Sequence, residues 1–260
     1  MSGTGFACEG IGRDFALRDR GVAALDDVSF EAAPHEFLCI VGPSGCGKST
    51  LLRIIAGLLP ATAGCVRFDG APPADSPRCA LVFQEHGTLP WMTVLDNVAF
   101  GLERSGLDRR ERRARARAFV ERVGLGSFTD AHPHELSVGM RQRVGIARAF
   151  VSGAPILLMD EPFGSLDAQT RWVLQSELLR IWQEDRKLVV FVTHDIEEAV
   201  LLGDRVLVMT GRPGTVREEI PVPLGRPRDL PRDHRNVSEI TWHIWRLLEE
   251  DVRDGLSIRR

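Results

Sequence analysis

The sequence predicts an α/β protein in which a mostly parallel sheet is covered by helices. Three observations support that class: five short apolar runs, helical sequence between them, and a cluster of glycines directly after the first run. Unbroken apolar runs are typical of strands buried on both faces, and their alternation with helices is typical of a parallel sheet. The predicted strands are 37–41, 79–83, 155–160, 188–193 and 205–209.

The length of 260 residues accommodates one large α/β domain with an appendage and is too short for two such domains. Between about 90 and 150 the strand signal gives way to charged helical sequence, which predicts an inserted helical subdomain. After Gly211, several prolines precede apolar residues that recur at helical spacing. We therefore expect a core domain at 1–210 and a C-terminal extension at 211–260 that ends in a helix.

Two stretches admit both a functional and a structural interpretation. The arginine-rich run at 109–122 could bind nucleic acid, but Glu111 and Glu121 interrupt it, which favours a solvated helix face. Trp242 and Trp245 in the C-terminal helix are three residues apart, a spacing at which aromatic side chains usually serve packing. We expect these tryptophans to anchor the helix to the body of the protein rather than to form a binding site.

Composition excludes several classes of function without naming one. Hydrophobic residues at 43%, charged residues at 27% and a net charge of −3 give no general attraction to nucleic acid. The five cysteines form no CxxC pair, so neither a zinc site nor a disulfide framework is expected, and a reducing cytoplasm is the simplest setting. No signal peptide or spanning segment is recognisable, so any membrane contact is expected to go through a partner.

The glycine cluster after the first predicted strand is a phosphate-binding loop. Residues 42–49 fit the pattern G-x-x-x-x-G-K-[ST] and lie between a predicted strand and a predicted helix, which is the context this motif needs. Its backbone N–H groups and the following helix N-terminus attract phosphate, Lys48 adds a mobile charge, and Ser49 supplies a hydroxyl for Mg²⁺. The residues predicted to bind ATP here are Gly42, Pro43, Ser44, Gly45, Cys46, Gly47, Lys48, Ser49 and Thr50.

Two adjacent carboxylates follow the apolar strand at 155–160. Asp160 ends this strand, which is how an aspartate is delivered to the magnesium shell of such ATPases. Glu161 follows directly and is well placed to polarise an attacking water, so it is assigned as the general base. An apolar run ending in two acidic residues is weak evidence alone, but it is strong evidence beside a phosphate-binding loop.

The segment at 136–149 makes the sequence resemble the nucleotide-binding domain of ABC transporters, because it looks like the signature segment of that family. The resemblance covers roughly residues 6–210 and implies a P-loop ABC ATPase core. It also implies roles for single residues. Gln84 looks like the Q-loop glutamine, which contributes to catalysis and the metal site, Asp167 lies in a stretch like the D-loop, and His194 looks like the catalytic switch histidine.

Two departures from the family pattern bear on activity. Val138 stands where the family signature usually has glycine, but Ser137 and Gly139 remain, and the resemblance implies that these two face the γ-phosphate, so we expect activity to be kept. The chain has no tyrosine, so another aromatic residue must stack on adenine. Phe15 lies at a suitable place upstream of the first strand and retains the π-face that stacking needs.

The stretch at 82–102, together with 211–214, is similar to importers of the nitrate, sulfonate and taurine group. The resemblance implies a homodimer through shared ATP sites, integral membrane permease subunits and, indirectly, a solute-binding protein, with the chain peripheral on the cytoplasmic face of the membrane. Trp91 lies where the family forms the groove for a coupling helix of the permease, and a core tryptophan is the alternative interpretation.

Two other classes of protein compete with the importer. A soluble ABC ATPase acting on DNA or ribosomes usually has a long coiled-coil insertion or two cores, and this chain has neither. A small-molecule kinase with a phosphate-binding loop leaves the signature at 137–140 and His194 unexplained.

Overall fold

The computed structural model describes residues 4–17, 20–70, 76–83, 87–228 and 237–257. The chain divides into two compact units, of which the first contains the residues up to Gly70 and from Leu188 onward, and the second contains the chain between them. In the described ranges, no helix is both long and apolar enough to cross a membrane.

The first unit contains two sheets. Its antiparallel sheet has the order β2-β1-β4, and its other sheet places β7, β3 and β8 in parallel, with β9 antiparallel at the edge. Every residue of β3 and β7 is buried, as expected of central parallel strands. The strands of this unit are β1 (Phe6–Leu17), β2 (Arg20–Ala32), β3 (Phe37–Val41), β4 (Ala63–Phe68), β7 (Leu188–Val192), β8 (Arg205–Met209) and β9 (Val216–Pro221).

Within the described residues, three helices belong to the first unit: α1 (Lys48–Ile55), α6 (Ile196–Leu202) and α7 (Ser238–Ser257). The last of these contradicts one expectation. Among the described side chains of α7, Ile244 and Leu248 are buried, whereas Trp242 and Trp245 are 59% and 43% exposed and stack on each other with ring centroids 5.0 Å apart. The anchoring prediction for the two tryptophans is therefore wrong, because the apolar stripe that faces the body runs through the isoleucine and leucine four residues apart.

Two arginines of the C-terminal extension satisfy the carbonyls at the end of α6. Arg228, which is buried, donates to the oxygens of Val200 at 2.9 Å, Leu201 at 2.6 Å and Gly203 at 2.6 Å. Arg226 donates to Leu202 O at 2.6 Å. Since the last carbonyls of a helix lack partners within it, these contacts fix the extension to α6.

Within the described residues, the second unit contains the parallel pair β5 (Cys79–Val82) and β6 (Ile156–Asp160) and four α-helices. Side chains of Thr93, Asp108, Ser137 and Asp167 accept hydrogen bonds at the starts of the four helices, which explains where each begins. The helices are α2 (Val94–Phe100), α3 (Arg109–Arg122), α4 (Val138–Val151) and α5 (Ala168–Glu184). The α/β class with mostly parallel strands is confirmed.

The arginine-rich run forms α3, most of whose residues are exposed. Ala116 and Val120 are its buried residues, and they face the body of the unit. Arg113 pairs with Asp96, and Arg122 pairs with Glu184 at 2.5 Å. The exposure of α3 agrees with the predicted solvated helix face, and these two guanidinium groups have carboxylate partners within the chain.

Candidate nucleotide-binding site

The phosphate-binding loop connects β3 to α1, in the arrangement that the sequence predicts. Gly45 and Gly47 have φ values of 78° and 104°, which lie in a left-handed region that side chains with a Cβ rarely adopt. A Cβ on Gly47 would also approach the Ala24 oxygen to 2.8 Å. These glycines let the backbone turn tightly into Lys48, the first residue of α1, where free helix N–H groups attract an anion.

Lys48 is held over the loop by the loop itself. Its side chain is only 5% exposed, and Nζ donates to Gly42 O at 2.7 Å and to Pro43 O at 3.0 Å. A buried ammonium group needs such acceptors, because burial without partners strongly disfavours the charge. The positive charge is therefore fixed beside the backbone that would surround a phosphate group.

Cys46 lies within the same loop and is almost fully buried. Burial raises the pKa of its thiol, and the nearby Lys48 ammonium, 3.8 Å from Sγ, opposes that rise only in part. The thiol is therefore protonated at neutral pH, and Cys46 packs as a small apolar residue rather than reacting as a nucleophile.

His194 lies near the phosphate-binding loop in the first unit. It follows β7 and is exposed, and the preceding Thr193 donates its N–H to Ile40 O on β3 at 3.1 Å. One cavity of about 430 Å³ is lined by loop residues 42–44 and by His194, with Ile196 and residues of α7 completing its wall. The structure thus brings the predicted switch histidine and the predicted phosphate-binding loop to a shared cavity.

Phe15, the predicted adenine-stacking residue, lies near the hairpin end of β1 and pairs with Val22 on β2. The guanidinium group of Arg13 lies 4.7 Å from the centroid of its ring. The ring is half-buried. One face of Phe15 therefore makes a cation–π contact, which fixes the ring plane.

The two predicted carboxylates lie at the end of β6. Asp160 is its last residue and is 6% exposed, whereas Glu161 is half-buried. Glu161 has φ of 44°, a conformation that is strained for a residue with a side chain. The N–H of Gly164 donates to Glu161 O at 3.2 Å and helps to hold this turn. Strained residues of this kind concentrate at functional sites.

Ser137 and Gly139, the predicted signature residues, lie at the start of α4. Ser137 is exposed and accepts a hydrogen bond from Met140 N at 3.3 Å, so it is the N-cap of the helix. Gly139 is buried, and a Cβ there would lie 2.9 Å from Cγ2 of Thr170 on α5. Val138 forms the first residue of the helix without disturbing the cap.

Asp167 caps the next helix, α5, in the same manner. Its Oδ1 accepts from Thr170 N at 2.9 Å, and the side chain is exposed. The backbone N–H of Thr170 lowers the pKa of the Asp167 carboxyl, so this residue is ionised at neutral pH. Gln84, the predicted Q-loop glutamine, lies outside the described residues.

Trp91 lies on the surface of the second unit, so the alternative of a core tryptophan is wrong. Its side chain is 71% exposed, and it borders a cavity of about 300 Å³ whose wall includes Met92, Phe100 and three arginines of α3. Asp96 also lines this cavity. An exposed tryptophan beside an apolar and charged groove is typical of a surface that contacts another protein.

Asn97 organises the loop that carries Trp91, and the sequence interpretation missed it. This side chain is fully buried; it accepts from Leu89 N at 2.8 Å and donates to the oxygens of Leu89, Met92 and Thr93 at 3.1, 2.9 and 3.0 Å. A polar residue within the apolar run of α2 was the available signal, because a buried amide needs partners. Arg141 has a similar role before α4, where it donates to Pro133 O at 3.3 Å and to Leu136 O.

A glycine-rich loop between a buried strand and a helix, with its lysine held over the loop, defines an ATP-binding protein of the P-loop class. Asp160 and Glu161, the residues predicted to serve hydrolysis, lie together at the end of a buried strand. A family model described as "ABC transporter" matches residues 25–164, and the chain belongs to that family. It is an ATP-binding, ATP-hydrolysing subunit of an ABC importer.

The relatives include two import ATP-binding proteins. The chain is 53% identical over 207 residues to a taurine import ATP-binding protein of Rhizobium johnstonii, covering 78% of each chain. It is 43% identical over 227 residues to a nitrate import ATP-binding protein of a Synechocystis strain, covering 86% of this chain and 84% of the relative. A solved ATP-binding cassette, dimeric and bound to ADP and phosphate, matches with a TM-score of 0.73 and 32% identity, covering 85% of this chain and all of that one.

Proposed function

We propose that this chain powers uptake of a small solute, such as nitrate, a sulfonate, taurine or a related compound, from the cytoplasmic face of the membrane. The observation that carries the proposal is the phosphate-binding loop with its buried Lys48, together with a signature segment at the start of α4. The names of the taurine and nitrate relatives support the solute class. Nitrate is a small anion and taurine is a small zwitterion, so the proposal names a class of solute rather than one compound.

In the proposed reaction, the loop N–H groups and Lys48 bind the β- and γ-phosphates of ATP. Glu161 accepts a proton from the attacking water, whose oxygen bonds to the γ-phosphorus while the bond to the β,γ-bridging oxygen breaks and ADP leaves with that oxygen. His194 and Gln84 orient the water and the γ-phosphate, and Phe15 stacks on adenine through the face that Arg13 leaves uncovered. The shared cavity beside residues 42–44 supports the part assigned to His194.

The residues predicted to bind Mg²⁺ carry oxygen donors of the kind that this ion prefers. The Ser49 hydroxyl follows Lys48 on α1, and Asp160 ends a strand as a buried carboxylate; both supply the hard oxygen ligands that Mg²⁺ prefers. When bound, Mg²⁺ neutralises charge on the β- and γ-phosphates. Ser49, Asp160 and Gln84 are the residues proposed to hold it.

We further propose that two chains face each other head to tail and share each ATP. Ser137 and Asp167 are exposed N-caps, so the first turns of α4 and α5 are accessible to a second chain. Gly139 adds a backbone N–H near the positive end of α4, which favours a phosphate anion. The dimeric state of the solved cassette supports this arrangement.

The membrane partner is proposed to be a permease that inserts a helix beside Trp91. The groove combines an exposed indole, apolar Met92 and Phe100, and guanidinium groups of α3. Such a surface suits an amphipathic helix with apolar and acidic side chains. A solute-binding protein would contact the permease and not this chain.

Uptake by intact cells tests this proposal. The coding sequence is deleted in its host, and uptake of labelled taurine, an alkanesulfonate and nitrate is measured. We expect uptake of one of these solutes to be lost, to return with the wild-type chain, and to stay lost with Glu161→Gln. Unchanged uptake of all three would refute the solute class, and rescue by Glu161→Gln would refute the coupling of uptake to hydrolysis by this chain.

A further inference from the structure

A turn in the C-terminal extension contacts the phosphate-binding loop from outside. The turn connects β8 to β9 and is tied to β2, because Gly214 N donates to Ala24 O and Asp26 N donates to Gly214 O, both at 3.0 Å. Its Thr210 and Thr215 hydroxyls lie 3.0 Å apart and close the turn. The backbone of this turn is therefore fixed before any nucleotide binds.

Arg212 at the tip of the turn bonds to the phosphate-binding loop. Nε and Nη2 both donate to the carbonyl oxygen of Gly45, at 3.2 Å and 3.0 Å. A Cβ placed on Gly45 would lie 3.1 Å from Nη2, so the guanidinium group also packs against this glycine. Hydrogen bonds from a charged donor are stronger than neutral ones, which makes this the firmest contact that the turn makes with the loop.

Gly214 supports the next peptide of the loop. A Cβ on Gly214 would come within 2.0 Å of Cys46 O, so the turn lies directly against that carbonyl. Two consecutive carbonyls of the loop, those of Gly45 and Cys46, thus face the same turn.

A trans peptide is planar, so its N–H points opposite to its carbonyl. With Gly45 O held outward by Arg212, the N–H of Cys46 points into the loop, where it donates a long hydrogen bond to Pro43 O, with 3.3 Å between the nitrogen and the oxygen. Inward-facing N–H groups are what a phosphate-binding loop offers to its anion. The orientation of this peptide therefore depends on a residue far outside the motif.

We propose that Arg212 is a positioning residue for ATP binding, which acts through Gly45 O and does not touch the nucleotide. This inference rests on the phosphate-binding loop being the ATP site. The ATP affinity of the loop is then set partly by the C-terminal extension, and loss of the arginine weakens binding of substrate and transition state alike. Such uniform loss raises KM and leaves kcat nearly unchanged.

The test compares Arg212→Met, which removes the donors but keeps an aliphatic stem, with Arg212→Lys, which keeps a charged donor. The matched control is Arg217→Ala, because Arg217 lies on the neighbouring β9 and pairs with Asp251 of α7 at 3.1 Å rather than with the loop. MgATP dissociation constants are measured by calorimetry on the full chain, and KM and kcat by phosphate release. Thermal unfolding without nucleotide checks that every variant folds.

We expect Arg212→Met to raise the dissociation constant and KM for MgATP about tenfold, with kcat within about twofold of wild type. Arg212→Lys should recover most of the affinity, and Arg217→Ala should bind as wild type does. The ratio of the Arg212→Met and wild-type dissociation constants should persist at about 0.5 M NaCl, because a direct hydrogen bond is screened far less than a distant charge.

Three results would overturn the proposal: unchanged affinity in a folded Arg212→Met, an Arg212→Lys no better than Arg212→Met, or a difference that disappears in high salt. The last result would mean that Arg212 raises the affinity for ATP through long-range attraction of its charge rather than through its hydrogen bonds to Gly45 O. If the wild-type chain itself binds no MgATP, the assignment of the ATP site fails rather than the role of Arg212, so the two failures are distinguishable.

Discussion

The phosphate-binding loop and the starts of α4 and α5 are organised in opposite ways. In the loop, the functional Lys48 is buried and its Nζ is bound by carbonyls of the same loop. At the two helix starts, Ser137 and Asp167 are exposed and bind N–H groups of their own first turns. Groups proposed to bind the chain's own ATP are thus held in place by contacts within the loop, whereas groups proposed to contact a second chain remain exposed to solvent.

The largest effect is expected from the residue that performs the chemistry. Glu161→Gln should lower kcat at least about 100-fold while MgATP still binds, because the amide keeps the shape but cannot accept the proton. The trapped species should be a nucleotide-bound dimer, seen by size-exclusion chromatography with MgATP. A variant that stays monomeric while the wild type dimerises would contradict the assigned role.

A mixed dimer separates the two kinds of region directly. Lys48→Ala disables the phosphate-binding loop, and Ser137→Arg places a bulky charge at the signature, where it would approach the γ-phosphate. A homodimer of either variant therefore has no complete ATP site. In a tagged heterodimer, the intact loop of one chain faces the intact signature of the other, and one site is rebuilt. We expect the heterodimer to hydrolyse ATP at least about tenfold faster than either mutant homodimer. The reason is that each substitution removes groups that bind the transition state, and the rebuilt site has both sets of groups intact.

The control for that experiment is ATP binding by the same heterodimer. If every site were formed within one chain, mixing would restore neither binding at the interface nor hydrolysis. Restored binding without hydrolysis would instead mean that turnover demands two working sites.

A smaller effect is expected at the exposed groove. Trp91→Ala should lower the amount of permease that co-purifies with the chain by about tenfold, since exposed tryptophans often dominate interface energies, and should leave ATP affinity unchanged. Trp242→Ala is the matched control, because that indole is also exposed but lies on α7. Co-purification of Trp91→Ala at wild-type yield would remove Trp91 from the proposed interface.

The smallest effect is expected at the departure within the signature. Val138→Gly restores the usual family residue but adds backbone freedom at the first turn of α4, so the free energy of unfolding should fall by about 0.5 kcal/mol. ATP hydrolysis should change less than about threefold, because Ser137 and Gly139 are kept. Urea unfolding and phosphate release measure the two quantities, and a large gain in kcat would show that Val138 limits the wild-type chain.

The buried parallel strands could be read from sequence because their apolar runs are unbroken. The predicted strands at 155–160 and 188–193 differ by one residue at the ends from β6 and β7. The antiparallel sheet of β1, β2 and β4 gave no such signal, because β1 contains register shifts around its glycines that break the alternation of side chains.

Side-chain exposure was harder to predict than strand position. Helical spacing in α7 fits an apolar stripe through Ile244 and Leu248 as well as one through the two tryptophans, and only packing decides between them. The contact between Arg212 and the phosphate-binding loop carried no sequence signal, since its partner Gly45 is 167 positions away in the sequence. Contacts of this kind become visible only when the chain is folded.

The burial of Cys46 also determines how the protein can be labelled. The thiolate is the nucleophile that attacks a thiol reagent, and burial raises the pKa of the Cys8 and Cys79 thiols to about 12 and that of Cys39 well above its usual value. Cys65 on β4 is exposed. A maleimide dye at neutral pH should therefore modify Cys65 first and spare the phosphate-binding loop, which gives a fluorescent handle on the native chain without engineering a single cysteine.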